Sequence, residues 1–199
     1  MHSPVTSRDQ RAECWWPWSR STRADEVLLV ARAQSGDRNA LDQLLRSLQE
    51  PLFEHIRAIV GDADQAKDVL QETLWRIARK LSSLRDPRWV RAWSYRIATR
   101  EAVHRSHSEK RWTEALRGEA LNALPVESED PDSDPELIAQ IVSGISGLSP
   151  ASQVVLRMHY LDGMTHVEIA EALEIADGTV KSRLAYGLAA LRRSMAVSR

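Results

Sequence analysis

The chain has a single cysteine, Cys14, among its 199 residues. That excludes an internal disulfide framework and a zinc site built from cysteines, and it suits a reducing compartment. No apolar run reaches the roughly 18–20 residues needed to cross a membrane. The N-terminal stretch carries Arg8, Asp9, Arg11 and Glu13, which a secretory leader would not. A cytoplasmic protein with no membrane partner is therefore expected. Neither sign of charge dominates: 27 Lys and Arg face 28 Asp and Glu, a net charge of −1. A uniformly basic nucleic-acid coat is excluded, so any DNA affinity must come from local charge segregation. Signatures of catalysis are missing too. There is no His-Glu-x-x-His, phosphate loop, nucleophile elbow or Cys–His pair, and the six histidines, including His55, His159 and His166, form no ligand grouping. No catalytic residue, metal or cofactor is expected.

What is present is clearest from Ser149 to Arg193. Ser149-Pro150 places a capping residue before a proline at the first helical position. Val154, Val155, Met158 and Leu161 recur on the inner side, and Asp162-Gly163 stops the helix. Thr165-His166-Val167-Glu168 is a capping-box pattern that opens a short helix with Ile169, Ala170 and Leu173 inward. Glu174 to Gly178 makes a tight turn, and a last helix comes after it with Val180, Leu184, Leu188 and Leu191 on one face. From Gly178 to Arg199 there are five cations and no acid. A second helix with small and polar residues at its start and cations along one side is built for the major groove.

Upstream, residues 25–112 read as almost continuous helix. Breaks fall at Ser35-Gly36-Asp37, Gly61-Asp62 and Asp86-Pro87, with a bend at Pro51. The fourth segment runs from about Arg88 to Arg111. Residues 113–136 differ. Glu119 to Glu136 holds seven acids, three prolines and no Lys or Arg, the composition of a solvated, extended linker. Residues 1–24 read as a mobile arm. Its Cys14-Trp15-Trp16-Pro17-Trp18 cluster is first a sticky patch and second a docking segment for a partner groove.

The first helical unit has its own charge pattern. Arg85 to Arg117 holds nine cations against four acids, interleaved with Trp89, Trp93, Tyr95 and Trp112. Arg96, Arg100 and His104 share a helix face. Cations track phosphates and aromatic faces stack unpaired bases, so the mixture suits opened DNA. Trp93, in register with Val90 and Ile97, reads as core before it reads as ligand. On the third segment, Asp64, Asp68, Gln71, Glu72 and Trp75 lie opposite the apolar stripe, a face suited to a basic partner helix.

Taken together, these blocks resemble the extracytoplasmic-function sigma factors of bacterial RNA polymerase. Asp62 to Leu70 followed by Gln71-Glu72-Thr73-Leu74 is similar to the region 2 helix that grips the polymerase clamp. Arg91-Ala92-Trp93-Ser94-Tyr95-Arg96-Ile97-Ala98 is similar to the region 2 helix that melts and reads the minus-ten element. Leu148-Ser149-Pro150, Leu161-Asp162-Gly163-Met164-Thr165, Glu168-Ile169-Ala170 and Gly178-Thr179-Val180-Lys181-Ser182-Arg183 are similar to region 4, which reads the minus-thirty-five element. The resemblance implies an all-α protein of two small helical domains. These are a region 2-like four-helix domain at 25–112 and a region 4-like helix-turn-helix domain at 137–196, joined by the flexible acidic linker at 113–136. The implied partners are core RNA polymerase, through its clamp and flap regions, promoter DNA, and an anti-sigma protein.

Carried over by position, Asp64, Asp68, Gln71 and Glu72 would face the clamp. Trp89, Arg96, Arg100 and Arg105 would lie near the minus-ten strand. Thr179, Lys181, Ser182, Arg183 and Tyr186 would contact the minus-thirty-five duplex. The linker would thread near the polymerase's nucleic-acid channels. The chain departs from the family pattern in places. Gln65-Ala66-Lys67-Asp68 replaces an Asp-Ala-Glu-Asp run, which implies weaker core affinity; a phosphate on Thr73 is a less favoured way to restore the charge. Arg100 stands for the usual Asn, His104 for an Asp, Glu174 for a Gly and Ala176 for a capping Ser. The residues alone leave one alternative open: a helix-turn-helix regulator with an N-terminal helical sensor.

Overall fold

The computed structural model describes residues 23–106, 112, 114, 115 and 135–197, side chains of 135–137 and 194–197 excepted. Among the described residues there is no strand. The described residues include these α-helices, in order: α1 (Arg23–Gln34), α2 (Arg38–Val60), α3 (Ala63–Lys80), α4 (Val90–Arg105), α5 (Pro135–Gly144), α6 (Pro150–Leu156), α7 (His166–Leu173) and α8 (Asp177–Val197). The tryptophan cluster, residues 107–111 at the end of the expected fourth segment, and nearly all of the acidic linker lie outside the described residues. The first helix starts at Arg23, inside the stretch read as an arm.

Short polar signals set the boundaries. Asp37 caps α2 by accepting from the amides of Asn39 and Ala40, and Gly61 ends it in the left-handed region at φ 80°. Asp62 caps α3 through the Gln65 amide, and Asp86 caps the short 3-10 turn Pro87–Trp89 that leads into α4. Helix α2 runs on through Pro51, which is buried. Ser149 caps α6, and Thr165 with Glu168 forms the reciprocal capping box of α7.

One end of α6 departs from α-helical geometry. Residues Arg157–Leu161 form a π-helical turn, closed by an Asp162 amide that donates to the Arg157 carbonyl at 3.0 Å. The wider turn rotates the residues after it relative to a regular helix, and such turns frequently sit at functional sites.

Leu44, Leu48, Leu52 and Ile56 of α2 have no exposed surface and pack with Ala66, Val69 and Ile77 of α3 and Tyr95, Ala98 and Ala102 of α4. Each large apolar side chain buried this way contributes about 1.5–3 kcal/mol. The second group centres on Ile141, Val154, Val155, Met158, Ile169, Val180, Leu184 and Leu191. Gly187 lets α8 approach α6: a Cβ there would lie 2.8 Å from Leu156 Cδ1. The two groups are packed together, α4 along α7 and α2 against α6.

Candidate nucleic-acid interface

Three surfaces carry the residues singled out by sequence. On α3, Asp64, Asp68, Gln71 and Glu72 are all exposed. Spacing along the helix gives Asp64 and Glu72 internal partners: Lys67 Nζ at 2.9 Å and Arg76 Nε at 2.8 Å. The Lys67 ammonium holds the Asp64 carboxyl below the usual aspartate range. Trp75 is 53% exposed beside them, with the Arg79 guanidinium stacked 4.4 Å from its ring centre. Thr73, by contrast, is fully buried and donates its hydroxyl to the Val69 carbonyl at 2.7 Å. It points into the core, so it is no acceptor for a phosphate.

On α4, Trp89 stands exposed at the foot of the helix, while Trp93 is half-buried against the core, as its register implied. Arg96, Arg100 and Arg105 rise along the helix, and none of them faces open solvent alone. Arg96 reaches Glu171 at 3.0 Å and Glu174 at 3.2 Å, Arg100 reaches Glu174 at 2.5 Å, and Arg105 reaches Asp68 at 3.4 Å. Glu171 and Glu174 belong to the helix-turn-helix, so the cationic face of α4 looks at the second group of helices.

Beneath that rim lies a buried polar layer that helical periodicity does not reveal. Arg91 donates from Nε to Glu26 at 2.8 Å and from Nη1 to the Asp162 carbonyl at 2.7 Å. Tyr95 donates its hydroxyl to Asp162 Oδ2 at 2.5 Å. Burial and the adjacent Asp162 carboxylate raise the Tyr95 phenol well above its ordinary pKa, so it remains a donor. Arg157, delivered by the π turn, meets Glu54 at 3.0 Å. At one edge Arg23 donates to Glu168 at 2.5 Å and to the Gly163 carbonyl at 2.8 Å. His55 sits below, fully buried, edge-on to Tyr95 at 4.8 Å. Thr99 already donates to the Tyr95 carbonyl, so it accepts from His55 Nε2 at 2.8 Å, which leaves the His55 Nδ1 lone pair without a partner. Desolvation, then the Arg157 charge, push the His55 pKa down to about 3. The clue available in the sequence was the motif Arg91 to Ala98 itself, whose polar members at 91 and 95 face inward.

Helix α8 begins after the turn at Glu174, which sits in the left-handed region at φ 57°. Asp177 lies in the first turn and pairs with Lys181 at 2.8 Å. Thr179 and Tyr186 are half-buried, and Ser182 donates to the Gly178 carbonyl at 2.9 Å. Arg183 is completely buried and donates to the carbonyl of Ala115, from the segment just beyond buried Trp112. In this arrangement it holds the start of the linker region against α8. Among the described residues there is no grouping of side chains that could hold a metal, and no helix is long and apolar enough to cross a membrane.

An exposed acidic face, a cationic helix with an aromatic foot and a helix-turn-helix define a DNA-binding transcription protein. Comparison narrows the class. Residues 44–112 match the Sigma-70 region 2 family and residues 138–191 the Sigma-70, region 4 family. The chain is 30% identical over 167 residues to the ECF RNA polymerase sigma factor SigL of Mycobacterium tuberculosis, covering 81% of this chain and 94% of the relative. It is 27% identical over 176 residues to SigW of Bacillus subtilis, with 83% and 94% covered. Its fold is similar to that of CnrH, solved in complex with the cytosolic domain of CnrY: TM-score 0.58, 24% identity, 87% of this chain and 99% of that one. The chain therefore belongs to the extracytoplasmic-function sigma factors of bacterial RNA polymerase. As a member it binds core polymerase and directs it to specific promoters; it is an initiation factor, not an enzyme.

Proposed function

We propose that the three surfaces divide the work of this sigma factor. The α3 face of Asp64, Asp68, Gln71 and Glu72 takes the polymerase clamp. Trp89, Arg96, Arg100 and Arg105 hold the opened minus-ten strand, where the tryptophan stacks on a splayed base and the guanidiniums track phosphates. Thr179, Lys181, Ser182, Arg183 and Tyr186 contact the minus-thirty-five duplex, with Arg183 released from Ala115 when the linker region lifts away. The functional units in this reading are 25–112 and 137–196, with 113–136 between them.

The observation that carries the proposal is the exposure of the α3 face, which is joined to the α4 cations at one edge by Arg105 to Asp68 at 3.4 Å. The α3 acids stay exposed while α4 and the helix-turn-helix face each other. Clamp binding can therefore begin on α3 while Arg96 and Arg100 still face the helix-turn-helix. Action on polymerase puts the protein in the cytoplasm. A protein inhibitor is a further proposed partner, on the precedent of CnrH with the cytosolic domain of CnrY. Run-off transcription with purified core polymerase on a genomic fragment library tests the whole. Discrete transcripts should depend on this chain alone and fade when Asp64, Asp68 and Glu72 are neutralised. Transcripts that ignore those substitutions would remove α3 from the clamp.

A further inference from the structure

The outward face of α3 continues past the four residues proposed to take the clamp. At about 3.6 residues per turn, Asp64, Asp68, Gln71, Glu72, Trp75 and Arg79 fall within an arc of about 100°, and Trp75 lies near its midline. Folding does not account for an indole there. The buried residues of α3 are Ala66, Val69, Thr73 and Ile77. Trp75 is 53% exposed, more than Trp89 at 38%. The Arg79 guanidinium lies 4.4 Å from the ring centre and covers part of it. At an exposed site that cation–π contact is weak, so the ring is shielded without being committed. Gln71 and Glu72, one turn back, are exposed polar neighbours on the same face. A rigid aromatic in the middle of a face, ringed by polar side chains, has the build of an interface anchor.

We propose that Trp75 is the anchor of the contact with core polymerase and enters an apolar recess on the same polymerase surface that meets the α3 acids. Continuity selects this occupant. The indole shares one unbroken stripe with Asp64, Asp68, Gln71 and Glu72, all exposed, and the defining partner of a sigma factor is core polymerase. The inference deepens the clamp assignment of those four residues and rests on it. The contact then has two parts with different physics. The acids act through charge, which Lys67 weakens by pairing with Asp64 at 2.9 Å. Trp75 acts through desolvation of a large aromatic surface, which salt does not screen. In this chain the second part offsets the weakness of the first.

The test uses the full chain with a dye on Cys14, its single cysteine. Fluorescence anisotropy reads affinity for purified core polymerase at low and high salt, and urea unfolding followed by circular dichroism reads stability. Trp75→Ala should weaken binding by at least about thirtyfold, the loss expected of an anchor residue. The factor should be the same at both salt concentrations, and Trp75→Phe should keep most of the affinity. Both variants should unfold at the wild-type midpoint, because the ring lies outside the core. Asp64→Asn with Asp68→Asn should weaken binding at low salt, with a difference that fades as salt rises. If the acid pair weakens binding and Trp75→Ala costs less than about threefold, the anchor is overturned and the clamp assignment stands. If neither has an effect, both are overturned. A loss in Trp75→Ala that comes with a lowered unfolding midpoint makes the ring structural and overturns the proposal. Self-association seen by light scattering in the wild type and lost in Trp75→Ala, with core affinity unchanged, gives the face to a second copy and also overturns it.

Discussion

Tyr95 and Asp162, 67 residues apart in sequence, are joined by a 2.5 Å hydrogen bond with both side chains buried. The bond links the middle of α4 to the residue that ends the π turn after α6. It places Asp162 so that its backbone carbonyl can also take Arg91. Three features meet here that each look ordinary alone: an aromatic in a helix, an Asp-Gly helix stop and an irregular turn.

Removing the Tyr95 hydroxyl leaves a buried carboxylate short of a donor. Tyr95→Phe is expected to destabilise the protein by about 1.5–3 kcal/mol, the cost of losing a hydrogen bond to a charged group. Urea unfolding monitored by circular dichroism measures it; a loss below about 0.5 kcal/mol would mean that Asp162 is satisfied without Tyr95.

Arg91 and Glu26 form a buried pair, each side chain 6% exposed. Breaking such a pair from one side strands a charge. Arg91→Met should cost about 3–5 kcal/mol, and Glu26→Leu added to it should recover much of that loss. The double-mutant cycle is the measurement, and additive losses would contradict it.

His55 makes stability depend on pH. Its folded pKa of about 3 lies below the ordinary 6.5, so the native state favours the neutral ring and the unfolded state takes the proton. Its contribution is complete above about pH 6.5 and is lost as pH falls toward 3, at about 1.4 kcal/mol per unit. Between pH 6.5 and 5 the native protein should lose about 2 kcal/mol more than His55→Gln. Parallel unfolding curves for the two proteins across that window would contradict the burial of a neutral imidazole.

The clamp face predicts a gain. Lys67 is exposed and pairs with Asp64, so it partly neutralises the acidic surface. Lys67→Glu, together with Gln65→Asp, should raise affinity for core polymerase about three- to tenfold at low salt, with the gain shrinking as salt rises. Unchanged affinity in a fluorescence titration with core would detach these positions from the clamp.

Local signals were legible in the sequence because their physics is local. Ser149-Pro150, the Thr165–Glu168 box, Gly61-Asp62 and Asp86-Pro87 each satisfy helix-end amides or carbonyls within a few residues, and each appears where the pattern put it. The helical segments of residues 25–112 and the register of Trp93 came from apolar spacing, and the all-α class from the family resemblance. The expected fourth helix runs shorter among the described residues, ending at Arg105 with Ser106 as its cap. Spacing does not encode which polar residue faces which across 60 to 80 positions of chain. Arg96 and Arg100 read as free cations because Glu171 and Glu174 lie on another element. Arg183 read as a surface cation because nothing in the sequence announces that residue 115 returns to cover it. The π turn was equally silent, since its residues Arg157 to Leu161 continue a plausible α-helical pattern.

The division of labour between the two DNA surfaces is tested most directly by footprinting one promoter complex with two reagents. Holoenzyme carrying Arg96→Ala and Arg100→Ala should keep its nuclease protection over the upstream duplex element and lose permanganate reactivity at the minus-ten thymines. Holoenzyme carrying Thr179→Ala and Lys181→Ala should lose the upstream protection first. Equal loss of both signals in both variants, or full permanganate reactivity without Arg96 and Arg100, would contradict a chain that anchors duplex with α8 and opens DNA with α4.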